Sequence, residues 1–428
     1  RRSVGNRKER LRDYASSPGE FLKLPITASR EKEENIEMED RELRALIEAQ
    51  KDWIIEKRRM LHRVPERGFA EYKTQKIVMD ALDELGIPYK TERTWVIGLI
   101  EGALPGDVVA LRADMDALPI EEPEGCAFRS EHPGMMHACG HDAHTAILLG
   151  AAKVLTGMRD QLRGSVKLLF QPAEETDGGA EPMVKAGAME SPHVDRVYGL
   201  HVMPNLPVGT IETRVGTLNA STDSVKITIH GKAGHGAYPE RSVDAIVGSA
   251  QVICALQTLV SRNLSPLSSA VLSLGMIEGG TAQNIICDQV VIRGTLRTAN
   301  SEIRSMMKRR IEEVASGVAQ AMGCTADVEV SSGYAALVND AQEANRVRRV
   351  AARLFGAENA VEKAEPSMGG EDFSFFSDCA PGAFFHVGCV RKEEMPAPPL
   401  HSRDFQLDER CLTIGALMHV ALVLDGSN

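Results

Sequence analysis

Cys139 and His141 stand two residues apart in Met136-His137-Ala138-Cys139-Gly140-His141-Asp142-Ala143-His144, where a thiolate and an imidazole can clamp one metal centre. Three more candidate ligands follow short apolar runs: Glu175, with Glu174 before it, after residues 166–173; His201 after 197–200; and His401 in the loop 400–405. Two divalent ions held close together need a bridging anionic group with terminal imidazoles and carboxylates. Cys139, His141, Glu175, His201 and His401 meet that demand. One thiolate and one carboxylate set two negative charges against four positive ones, so such a centre stays electropositive, acidifies water and stabilises an oxyanion. Glu174 need not be a ligand. A carboxylate beside acidified water can take its proton and pass it to a departing amine, the base and then the acid of amide hydrolysis.

Each of these residues has a plainer reading when taken alone. A buried cysteine is commonly a small apolar residue, and an isolated His or Glu-Glu pair is weak evidence of a site. Their joint occurrence at the ends of apolar runs is what sets them apart. His137 and His144 read as residues behind the ligands or on a helix face, Asp114 as a carboxylate orienting a ligand, and Asp116 as a turn-former.

The elements that must position these groups follow from apolar periodicity. Leu43, Leu46, Ile47, Trp53, Ile54 and Leu61 recur at three- and four-residue spacing, as do residues over 77–85, predicting two opening helices. Strand-like runs at 108–111, 166–170 and 197–200 alternate with helical stretches after His141 through 155 and at 183–186. Alternation of this kind predicts an α/β domain with a mostly parallel central sheet, the ligands lying at the strand ends that carry the crevice of open α/β sheets. Between 216 and 332 the pattern becomes strand 224–229, helix 243–260, strands 270–277 and 289–296, helix 303–322 and strand 326–330. That βαββαβ order is an inserted α+β domain of ferredoxin-like type. Segments 346–355, 383–390 and 412–424 return to the first domain. The expected division is a charged, flexible extension over 1–40, a catalytic domain over 41–215 and 333–428, and the insertion over 216–332.

A chain of 428 residues exceeds the size at which one core keeps growing. A net charge of -11 and an aromatic content of 4% argue against a nucleic-acid partner, which would select a basic field and stacking rings. The eight cysteines show no short-spaced framework, which predicts a reducing compartment, taken as the cytoplasm. With Arg1 first, a removed targeting segment stays compatible with the chain. The apolar stretches 146–150 and 415–424 fall short of the ~20 residues that cross a bilayer, so no membrane partner is expected.

Several motifs carry a resemblance: Arg112-Ala-Asp114-Met-Asp116-Ala-Leu-Pro119, the 137–144 run above, Phe170-Gln-Pro-Ala-Glu174-Glu175, Gly199-Leu-His201 and Met368-Gly-Gly-Glu371-Asp372-Phe373. In this order the chain resembles the dinuclear metallopeptidases of aminoacylase and carboxypeptidase type. Within them it is similar to the amidohydrolase branch of hippurate hydrolases, N-acyl-amino-acid amidohydrolases and auxin-amino-acid conjugate hydrolases. The resemblance covers about 43–424. It implies hydrolysis of N-acyl amino acids by two divalent ions, manganese or zinc. It also implies that the inserted domain serves as a lid and as the interface of a homodimer, and that Cys139 replaces the bridging carboxylate of distant relatives. Where those relatives carry a His two residues before an Asp, this chain has Arg112 before Asp114; His201 stands where many carry an acidic ligand. The lid motif Gly231 to Pro239 implies that His235 helps hold the oxyanion. Asn284 and Arg297 resemble the positions that grip the amino-acid carboxylate, for which a guanidinium is suited. Glu371 is a candidate support for a ligand or for the substrate amine. A dipeptidase or aminopeptidase using the same centre, and a non-catalytic metal-binding interaction protein, are the rival readings.

Overall fold

A computed structural model describes residues 40–425. The extension expected over 1–40 lies, apart from Asp40, outside the described residues. The chain runs α1 (Lys51–Arg63), α2 (Tyr72–Glu84), β1 (Tyr89–Glu92), β2 (Trp95–Glu101), β3 (Leu104–Asp114), α3 (His141–Gly157), β4 (Arg163–Gln171), a short α4 (Ala180–Lys185), β5 (Arg196–Pro207) and β6 (Ile211–Thr213). There follow β7 (Ser221–His230), α5 (Ala245–Asn263), β8 (Ala270–Gly279), β9 (Gln289–Thr298), α6 (Ser301–Ala321) and β10 (Thr325–Ser332). Then come α7 (Ala341–Phe355), β11 (Ala360–Glu362), β12 (Gly382–Val390) and α8 (Arg410–Asp425).

Eight strands form one sheet in the order β1-β2-β4-β3-β5-β12-β6-β11. The pairs β3/β4, β3/β5, β5/β12 and β6/β11 are parallel. The hairpin β1/β2 and the pairs β2/β4 and β6/β12 are antiparallel, so the sheet is mixed toward its edges; of these pairs only β1 and β2 are joined by a tight turn. Helices cover both faces of its centre, which explains the continuous burial of β4 from Val166 to Gln171 and of all of β12. Two glycines let the helices approach closely: a Cβ at Gly150 would stand 2.6 Å from Ile54 Cδ1, and one at Gly415 would stand 2.8 Å from Ile147 Cδ1. The first predicted helix is broken by a turn at Ala49 and Gln50, so α1 begins at Lys51.

Four strands form a second, fully antiparallel sheet in the order β8-β9-β7-β10. Alternation makes one face apolar: Val225, Ile227 and Ile229 of β7 and Val290, Ile292 and Leu296 of β9 are buried with α5 and α6 in a separate hydrophobic cluster. Asp244 caps α5 by accepting from the Ile246 and Val247 N–H groups, and Asn300 caps α6 from Glu302 and Ile303. By length and composition α5 is apolar enough to cross a bilayer, a stretch that the sequence reading passed over. Its buried residues, Gly248, Val252, Leu256 and Leu259 among them, lie on the sheet side, while Ile246 and Val247 are exposed.

Candidate metal centre

The five predicted ligands, scattered over 263 positions from Cys139 to His401 in the chain, converge at the edge of the large sheet. Cys139 Sγ lies 3.3 Å from His201 Nε2 and 3.3 Å from His401 Nε2. Glu175 Oε1 lies 3.1 Å from His401 Nε2 and 3.8 Å from His141 Nε2. Two donor triplets share the sulfur: Cys139 with His141 and His201, and Cys139 with Glu175 and His401, each within 4.8 Å. A sulfur shared between two groups of terminal donors is the arrangement a bridging ligand requires.

Local structure explains how each donor gets there. Gly140 adopts φ +86, and a Cβ on it would stand 2.4 Å from Val202 Cγ2, so glycine alone permits the turn that sets Cys139 and His141 on either side of it. His141 then begins α3. Glu174 and Glu175 follow β4 through Ala173, which also has positive φ. His201 lies inside β5 rather than at a strand end, because β5 continues to Pro207 beside β12 after its pairing with β3 stops at Gly199. His401, at φ 62, is tethered by its N–H to Ala138 O at 2.9 Å.

Ring orientation is set from behind. His141 Nδ1 faces Asp116 Oδ1 at 3.2 Å and His201 Nδ1 faces Val202 O at 2.8 Å, which leaves both Nε2 atoms toward the centre. His141 Nε2 is buried without a hydrogen-bond partner, an arrangement that a cation completes. Burial, with Glu175 and Glu174 nearby, raises the Cys139 thiol well above its usual range. A thiolate here therefore requires cations, and the donor set fits two divalent ions.

Asp116 is a part that the sequence reading misassigned. Instead of merely forming a turn, its carboxylate accepts the N–H groups of Glu174 at 3.1 Å and Glu175 at 3.0 Å as well as facing His141. Asp114 accepts from Arg112 at 2.6 Å and from His144 Nδ1 at 2.6 Å, while His144 Nε2 accepts the Val202 N–H at 2.9 Å. Arg112 is wholly buried and also meets Glu371 and Asp372, each at 3.0 Å. Burial raises Glu174 well above the usual carboxylate range, helped by Glu371 and Asp372 and opposed by Arg112.

A cavity of about 630 Å³ opens over the cluster, lined by Cys139, Glu174, His201, Tyr334, His386 and Arg297 among others. Arg297 thus joins the site from β9. His235 and Asn284 are exposed and stand outside the lining. They lie together, with Asn284 O accepting the Gly236 N–H and residues 234–235 paired with 285–286. His386 was not singled out from sequence. It pairs in register with His201 on the neighbouring strand, and its Nδ1 meets Glu212 at 2.8 Å.

Known proteins share this architecture. The chain is 39% identical to thermostable carboxypeptidase 1 of Saccharolobus solfataricus, over 88% of this chain and 96% of that one. It is 43% identical to the N-acetyl-L-cysteine deacetylase of Bacillus subtilis, over 83% of each. The solved structure of the Bacillus subtilis YXEP protein, described as a dinuclear metal binding peptidase from the M20 family, superposes with a TM-score of 0.77 at 35% identity, covering 88% of this chain and 98% of that one. The family model for Peptidase family M20/M25/M40 matches residues 110–425. A thiolate-centred donor set, a carboxyl poised beside it and these likenesses lead to one conclusion: the chain belongs to peptidase family M20/M25/M40.

Proposed function

We propose that the protein hydrolyses the amide bond of N-acyl amino acids to a carboxylic acid and a free amino acid. The observation that carries the reading is Glu174, a buried carboxyl beside the donor cluster and across one cavity from Arg297. Two divalent cations, manganese or zinc, held by Cys139, His141, Glu175, His201 and His401, supply the Lewis acidity that polarises the acyl carbonyl and acidifies water. Arg297 pairs with the substrate carboxylate. Glu174 takes the proton of the attacking water and delivers it to the departing amine; its raised proton affinity suits both halves of that task. Tyr334 braces it by donating its hydroxyl to Glu174 O at 2.9 Å. The N-acetyl-L-cysteine deacetylase likeness supports an acyl amide as substrate.

The likeness to a carboxypeptidase favours short peptides as a second substrate class. A hydrolysis screen of benzoyl, indole-acetyl, acetyl and fatty-acyl amino acids beside dipeptides, with each metal supplied to stripped protein, separates the two. Turnover that requires a free substrate α-amine overturns the acyl-amino-acid reading, and no turnover with any metal leaves a non-catalytic binding protein.

The unit over 216–332 is read as a lid and dimer module inserted in a catalytic unit over 41–215 and 333–428. His235 and Asn284 reach substrate when that lid moves about hinges near Gly216 and Ser332. Exposed Ile246 and Val247 on α5, with Met276 and Ile277 on the edge strand β8, support a homodimer, since an edge strand offers an open ladder to a second copy. All eight cysteines are free, in keeping with a cytoplasmic location.

A further inference from the structure

Behind the catalytic cluster, on the far side of Asp142, sits a second group of donors. His62 of α1, Glu122 and Cys126 each offer one ligand atom within 4.8 Å of the others. His62 Nε2 stands 3.1 Å from Glu122 Oε1, and both residues are 5% exposed. Their remaining atoms are already engaged. His62 Nδ1 meets Asp142 Oδ2 at 2.8 Å, and Glu122 Oε2 accepts the Ser130 N–H at 2.7 Å. A carboxylate behind one ring nitrogen fixes the tautomer and turns the other nitrogen outward as a ligand. Phe128 closes one side, its ring edge-on to His62 with centroids 5.4 Å apart.

The charges around this pocket permit an ion. Arg58 is paired with Asp142 at 2.7 Å and Arg59 with Glu409 at 2.7 Å, so neither guanidinium is left uncompensated. His137, whose ring lies 6.2 Å from His62, is buried. Without an ion, a protonated His62 balances Glu122 while Arg58 balances Asp142. With a dication, His62 and Cys126 each give up one proton, and the pocket has the same net charge as before. Burial of two carboxylates is compensated either way.

We propose that His62, Glu122 and Cys126 form a further metal site, separate from the catalytic pair, that takes one zinc-like divalent ion with water as its fourth ligand. Imidazole, carboxylate and thiolate are the donor types zinc accepts in tetrahedral sites. What the ion would do follows from the chain. Residues 115–140, which end in Cys139 and Gly140, contain no helix and no strand beyond the single bridge Leu118 to Met136. A connection of that length needs fastening to hold a ligand in place. The ion ties its middle, at Glu122 and Cys126, to α1 and, through His62, to Asp142, the residue next to His141. Its role is to hold a ligand-bearing loop, not to react.

Zinc alone is the probe. Chelator-stripped full-length protein is titrated with zinc, and alkylation of each cysteine is followed by peptide mass mapping. Bound zinc slows alkylation of Cys126 by at least about tenfold, and elemental analysis of desalted protein gives one zinc fewer per chain in Cys126→Ala than in the wild type. Glu122→Gln, which keeps the acceptor for Ser130 N–H, loses the protection of Cys126 while Cys139 stays protected. Equal labelling of Cys126 with and without zinc, an unchanged zinc count in Cys126→Ala, or full protection in Glu122→Gln each overturns the proposal. Because Cys126 and Cys139 are read separately, failure here is distinct from failure of the catalytic centre.

Discussion

The two sheets of this protein handle charge in opposite ways. The large sheet is covered on both faces, and buried ionised groups in and beside it form closed sets such as Arg112 with Asp114, Glu371 and Asp372, and Arg58 with Asp142, while Lys167 is held by three backbone carbonyls. The four-stranded sheet buries one face under α5 and α6 and shows a polar face on which pairs such as Lys226 with Glu329 at 2.8 Å remain solvated. The first arrangement stores electrostatic energy where chemistry needs it, since neighbours fix proton affinities in a low-dielectric interior. The second leaves its polar face and its edge strand β8 exposed. One molecule thus divides into a buried charged cluster and an open alternating layer.

The difference predicts where substitutions hurt. Glu174→Gln should lower kcat about 10²- to 10⁴-fold while metal content by elemental analysis stays that of the wild type; turnover near the wild-type value would remove the charged cluster from catalysis. Arg112→Met leaves three carboxylates without their cation and should cost about 3–5 kcal/mol in denaturant unfolding. Its counterpart on the open sheet, Lys226→Met, should cost less than about 1 kcal/mol, and equal losses would erase the contrast. If the proposed dimer pairs through the edge strand β8, Ile277→Asp should yield monomers by light scattering. A dimer unaffected by that charge would place the interface elsewhere.

A further expectation concerns pH. Glu71 accepts the Thr94 hydroxyl at 2.7 Å and the Ala173 N–H at 2.9 Å, just before Glu174. Burial raises its carboxyl to about 7 from an ordinary 4.5, against the pull of those donors. The folded state therefore keeps a proton that the unfolded state has released, so this contribution to stability is full below the ordinary glutamate range and is lost as pH rises to about 7. Glu71→Gln should flatten that part of the stability profile, measured by urea midpoints across the window. An unchanged slope would assign the pH dependence to other groups.

Much of the donor chemistry was legible because it depends on residue type at short range: Cys139 and His141 span one glycine, and Glu174 and Glu175 are adjacent. The capping residues Asp244, Asn300 and Asp340 likewise act on N–H groups two or three positions ahead. The partners of Asp116 could not be read this way. It lies 58 and 59 positions from the two glutamates whose N–H groups it accepts, and nothing local marks it as more than a turn residue. Arg112 looked like a departure from a family pattern, whereas in the fold it is the cation for acids 259 and 260 positions away. His386 shows no motif at all, and only strand register sets it beside His201.

Sequence alone determined the ligand types, the βαββαβ order and the alternation that gives one sheet a single apolar face, because periodicity and donor chemistry are properties of neighbouring residues. Tertiary structure alone decided that Arg297 faces the cavity while His235 and Asn284 do not, that His201 sits within its strand, and which carboxylates share one guanidinium. Those outcomes depend on register and on the approach of distant segments, and a buried charge settles only where remote partners close around it.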